Sequence, residues 1–78
     1  MAKFKLDEIV SYCGKNAYLK NYFKDGMMVV DIIPDGFPIG NGEVNKSGQN
    51  VYIVIHNGMR FFFKESDLTS SIHGTSTE

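Results

Sequence analysis

Between two runs of strand-forming residues, VYIVIH and MRFFFK, stands the dipeptide Asn57-Gly58. A two-residue connection of this kind closes as a type I′ turn, which needs positive φ at both central positions, and Asn-Gly is the pair that reaches that conformation most readily. The turn sets the register of everything around it. His56 faces Met59, Ile55 faces Arg60, Val54 faces Phe61, Ile53 faces Phe62 and Tyr52 faces Phe63. Facing residues share a side, so one face of the hairpin is Val51, Ile53, Ile55, Arg60, Phe62 and Lys64, and the other is Tyr52, Val54, His56, Met59, Phe61 and Phe63. Both are apolar near the middle, although a half-buried hairpin needs only one apolar face. A strongly curved sheet that closes on itself buries one of them. The other then requires a cover: the N-terminal helical segment, a partner or a second copy.

Upstream of the hairpin, Leu6, Ile9, Val10 and Cys13 fall at i, i+3, i+4 and i+7, the stripe of a short amphipathic helix with Gly14 where it would stop. Phe4 and Leu6, alternating with lysines, are equally compatible with an opening strand. In KNAYLKNYFKDG the apolar Tyr18, Leu19, Tyr22 and Phe23 share one side of a helix, with Lys20 and Lys24 on the other and Gly26 as its cap. From Gly26 the pattern turns to strands. Residues 27–33, MMVVDII, form a continuous β-branched run that ends in PDGFPIGNG, whose prolines and glycines demand a turn or exposed loop. Residues 39–45 are expected as one short strand, bent at Gly40 and Gly42, before the turn NKSGQN. After Phe63 the stretch KESDL reads as a tight turn returning Leu68 to the core, and residues 70–78 as a disordered polar tail. With no repeat and no linker, residues 1–69 make one small domain: a helical segment over 1–25 and barrel strands over 26–69. The expected class is α+β, mainly β: a small barrel or strongly curved antiparallel sheet of four to five strands, with one or two short N-terminal helices packed on it.

Length and composition limit what such a domain can do. At 78 residues a chain buries only somewhat over ~60% of its unfolded surface, which leaves little room for an enclosed pocket. The single cysteine, Cys13, cannot pair internally, which points to a reducing compartment and hence the cytoplasm. The N-terminus is broken by Asp7 and Glu8 before any continuous apolar run, unlike a signal peptide, and no stretch approaches the ~20 apolar residues of a membrane span. Net charge is −1 but uneven: residues 1–24 carry a surplus of three positive charges and residues 25–78 a surplus of four negative ones. Cys13, His56 and His73 are too widely spaced to suggest a zinc site or a nucleophilic pair, and a lone cysteine on an apolar stripe reads as a core residue. GNGEVN fails the G-x-G-x-x-G rule at Asn45, and Asn45-Lys46-Ser47 matches a glycosylation acceptor only by chance without secretion. No cofactor, no metal and no catalysis are expected.

The stretches GMMVVDI, GNGEV and VYIVIHNGMRFFFKESDL together resemble the small Src-homology-3-like barrels, especially the KOW-type variants of bacterial and phage proteins. On that resemblance, which spans residues 26–69, Gly42 and Val44 carry a G-x-V step, and Glu65, Asp67 and Leu68 form the closing turn. It implies a binding module. The chain has no tryptophan, which argues against recognition of proline-rich peptides. The leading expectation is a small interaction module that binds another protein through an aromatic face made of Tyr52, Phe61 and Phe63, with Phe37 and Ile39 on the glycine-rich loop beside it. The alternative is a nucleic-acid-binding barrel in which Lys15, Lys20 and Lys24 track phosphates while Tyr18 and Tyr22 stack on bases. A homodimer joined through the second hairpin face is compatible with either.

Overall fold

The computed structural model describes residues 2–71. In chain order these form β1 (Ile9–Tyr12), α1 (Ala17–Tyr22), β2 (Met27–Ile33), β3 (Pro38–Gly40), β4 (Glu43–Val44), β5 (Val51–His56) and β6 (Met59–Lys64). A 3-10 turn (Glu65–Asp67) then leads into β7 (Leu68–Ser70). Five strands make one antiparallel sheet in the order β6-β5-β2-β1-β7, and β3 and β4 form a separate two-stranded sheet. The β5–β6 hairpin has the register dictated by its turn, from His56↔Met59 to Val51↔Lys64, and both Asn57 and Gly58 have positive φ.

The core lies on one side of this sheet. Val10, Met27, Val29, Tyr52, Val54 and Leu68 project into it, and Phe4 and Phe23 close it from the N-terminal arm and from the end of α1. In β2 the register slips between Val29 and Asp31, so Val30 is an extra residue. This bulge explains why MMVVDII shows no clean alternation: Met27 and Val29 face inward before it, Ile32 opposite Tyr52 after it.

The sheet curls without closing. β1 and β6 are separated by two strands, about 14 Å across a flat sheet at ~4.8 Å per step, yet the Tyr12 and Phe63 rings stand 5.5 Å apart between centroids. No pairing joins the two edge strands β6 and β7 among the described residues, so the expected barrel is an open, curved sheet.

Further expectations are corrected. The Leu6–Cys13 stripe is no helix: Ile9–Tyr12 is a strand paired to both β2 and β7, with Val10 inward, Leu6 exposed and Cys13 exposed rather than in the core. Asp7 at φ 69 breaks any helical path before it begins. Residues 39–45 are two strands, because Asn41-Gly42 is itself a tight turn with positive φ at both positions. The ordered sheet runs past residue 69, since Ser70 pairs with Val10 and the Ser71 N–H donates to the Ile9 carbonyl. The rest of the expected polar tail, His73 included, lies outside the described residues. Among the described residues there is one α-helix, α1.

Candidate functional site

α1 has six residues, too few to hold together alone in water. Two local contacts start it: Asn16 Oδ1 accepts from the Leu19 N–H at 3.1 Å, and Tyr12 Oη accepts from the Asn16 N–H at 3.3 Å. Packing secures the rest. Phe23, just past the helix end, meets the rings of His56, Phe61 and Phe63 at 4.9, 5.0 and 5.3 Å between centroids. Burying it stabilises the closure by roughly 1.5–3 kcal/mol.

With Leu19 and Phe23 turned to the sheet, Tyr18 and Tyr22 are left on the flank of the helix. Their rings run nearly parallel, 11° apart, at 6.4 Å between centroids. Across from them, the edge strand β6 offers Phe61 and Phe63 on the core side and Phe62 on the opposite side. These elements bound a groove of about 420 Å³ whose lining is aromatic apart from Leu19. Tyr18, Tyr22 and Phe62 are 74%, 44% and 52% exposed. Three large rings at the mouth of one groove amount to apolar surface that folding has left in water.

The two sets of expected contact residues therefore merge in part. Phe61 and Phe63 from one, and Tyr18 and Tyr22 from the other, line the same groove. Tyr52 does not belong to it. Its ring is fully buried against Phe4, and its hydroxyl accepts from the backbone N–H groups of Lys3 and Phe4 while donating to Glu65 Oε2. Phe37 and Ile39 lie apart on the β3 hairpin; Phe37 is exposed and Ile39 half-buried. Lys15, Lys20 and Lys24 are exposed, but at about 100° per residue Lys20 points about 160° away from both Tyr18 and Tyr22. Cations and rings thus do not interleave on the helix. Leu19, Phe23 and Phe62 are the lining residues that belonged to neither expected contact set. The signal for Phe62 was its place among the apolar residues of the other hairpin face.

That other face is left open except at one end, where the paired Ile33 and Val51 are buried. Ile9, Met28 and Ile55 form a row across β1, β2 and β5, and Ile53 and Phe62 the next. Ile9, Met28 and Phe62 are exposed, and Ile53 and Ile55 half-buried.

Polar chemistry is concentrated away from the groove. Burial pushes the Glu65 carboxyl up, but hydrogen bonds from Tyr52 Oη, the Lys3 N–H and Asn50 Nδ2, with the charge of Lys3, outweigh it and hold the carboxyl below its ordinary value. Burial, then the bond to Glu65, raises the Tyr52 hydroxyl above its own. Asn45 is 3% exposed. Its Nδ2 donates to the carbonyls of Ile33 and Gln49, and its Oδ1 accepts from Ser47, so the glycosylation-like triplet is an internal loop staple. Among the described residues no three His, Cys, Asp or Glu side chains gather as a metal site requires, and no helix is long and apolar enough to cross a membrane. Comparison with protein-family models, with curated proteins and with solved structures found no match.

Proposed function

We propose that this protein is a small binding module that holds a partner protein in the groove between α1 and β6. The observation that carries this reading is the exposure of Tyr18, Tyr22 and Phe62 around a lining already made of aromatic side chains. Aromatic anchors in a partly formed pocket supply most of the energy at protein interfaces, and they lose little conformational entropy on contact. The proposed architecture is an open relative of the Src-homology-3-like barrels. Gly26 before β2, the acidic Glu65–Asp67 turn after the hairpin and the buried Leu68 support it, whereas the β3–β4 hairpin departs from a single G-x-V strand.

A Tyr22→Ser/Phe62→Ser variant tests the groove, with Phe37→Ser as a control on the separate hairpin. Both alter exposed rings, so both should fold. A partner protein retained by the wild type and the Phe37 variant, and lost by the groove variant, is the expected result. Equal retention by all three contradicts the reading.

A second reading rests on the near-parallel exposed pair Tyr18 and Tyr22 beside Lys15, Lys20 and Lys24. Such a pair offers a stacking platform for single-stranded nucleic acid. Its mark is affinity that falls steeply with salt, with a slope of about −2 to −3 for three or four neutralised phosphates on a single strand. The near absence of polar lining in the groove, and the direction of Lys20, favour the protein partner.

A further inference from the structure

The groove has a border that the rings alone do not describe. β6 is an edge strand, paired only with β5 among the described residues. The Asn57-Gly58 turn closes on His56↔Met59, so that pair, Val54↔Phe61 and Tyr52↔Phe63 exchange hydrogen bonds within the hairpin. The backbone N–H and C=O groups of Arg60, Phe62 and Lys64 therefore point outward from the sheet, along the rim of the groove. This is a template for one more strand.

The side chains beside that template choose among strands. The two segments that bound the groove, residues 15–24 and 59–64, contain Lys15, Lys20, Lys24, Arg60 and Lys64 and no acidic residue. Arg60 and Lys64 flank Phe62 on the same face of β6, and all three are exposed. A second copy of β6 fits poorly here: full antiparallel pairing of the two strands would set Arg60 against Lys64 on both sides of Phe62, and like charges directly opposite one another repel. An acidic strand reverses that sign.

We infer that, resting on the groove being the binding surface, its occupant is an extended acidic segment of another protein, added as a sixth strand to the free edge of β6. Alternation then dictates its pattern. The residue opposite Phe62 is apolar, its neighbours two positions away on either side are Asp or Glu facing Arg60 and Lys64, and the residues between them turn their apolar side chains into the groove. Nucleic acid has no equivalent of the alternating donor and acceptor pattern on this edge.

The test uses the full ¹⁵N-labelled chain and two capped nonapeptides, Ser-Gly-Glu-Val-Phe-Val-Glu-Gly-Ser and the same sequence with Lys in place of both Glu residues. Binding is followed by amide shifts and by hydrogen exchange. With the Glu peptide, exchange should slow at Arg60, Phe62 and Lys64 and stay unchanged at Phe61 and Phe63, whose amides are already bonded to β5. The Lys peptide should have no such effect. Arg60→Glu/Lys64→Glu should weaken the Glu peptide by about tenfold and admit the Lys peptide, as expected when two exposed cross-strand pairs change sign. Shifts at Tyr18 and Tyr22 without alternating protection would overturn strand addition and leave the groove reading standing. Equal binding of both peptides would overturn the acidic preference. Protection of Arg60, Phe62 and Lys64 in the free protein, together with a doubled mass in sedimentation, would assign the edge to a second copy instead. A response to single-stranded DNA or RNA and to neither peptide would overturn the inference and the protein-binding reading together.

Discussion

Tyr52 joins three separate parts of the chain through one hydroxyl: the N-terminal arm at Lys3 and Phe4, the strand it belongs to, and Glu65 in the 3-10 turn. Glu65 is more acidic in the folded protein than its ordinary value of 4.5, so folding favours its ionised form. The resulting stability is present above about pH 4.5 and is lost as the pH falls through the depressed folded value. Thermal melts from pH 6 to pH 3 should show this loss in the wild type and a smaller one in Glu65→Gln; identical acid profiles would contradict the assignment. A second residue-scale prediction concerns His56, whose ring packs among Tyr22, Phe23 and Phe61 and whose Nδ1 is buried with no hydrogen-bond partner among the described residues. His56→Phe keeps the ring and removes the orphaned nitrogen, so it should be neutral or stabilising by about 1 kcal/mol, up to roughly 4–8 °C in melting temperature. A clear loss of stability would show that the nitrogen has a partner. Neither role was legible in the sequence, because each is made by contacts between distant parts of the chain: Phe4 with Tyr52, Phe23 with His56.

Elements were legible where their signal is local. The β5–β6 register follows from two residues of turn chemistry, and α1 from the four apolar side chains that share its face. β1 was ambiguous for a physical reason: Leu6, Ile9, Val10 and Cys13 satisfy a helical spacing by coincidence. Only pairing to β2 on one side and β7 on the other decides for a strand. Asn41-Gly42 carries the same chemistry as Asn57-Gly58, but its flanking runs are two and three residues long and rich in glycine and proline, so no apolar alternation marks them as strands. The bulge at Val30 concealed the phase of β2 in the same way. At this scale the weakest element is α1, which stands on a cap and on packing. Asn16→Ala removes the bond to the Leu19 N–H and should cost about 0.5–2 kcal/mol. Because the helix is one wall of the groove, it should also broaden the amide signals of Tyr18 and Tyr22 while leaving the β5–β6 hairpin signals unchanged. Broadening spread through the sheet would mean that the helix and the sheet are less separable than their contacts indicate.

At the largest scale the described residues make an open, curled sheet with its main core cluster on one side, a short helix across part of the mouth, and the edge strand β6 where the two meet. Which hairpin face becomes core was the question left open by a sequence apolar on both, and no local pattern could resolve it. The answer depends on where Phe4, Leu19 and Phe23 land, and they land on the side of Tyr52 and Val54. That removes Tyr52 from any contact surface and brings Phe61 and Phe63 against α1, so two of the five residues of each expected site end in one groove. We place the partner in this groove, along its β6 rim. Mapping amide shifts of the labelled protein on addition of the partner recovered with the wild-type chain tests it most directly. Perturbations centred on Tyr18, Tyr22 and residues 60–64 are expected; perturbations centred instead on Phe37 and Ile39, or on the open row of Ile9, Met28 and Ile55, would contradict this placement.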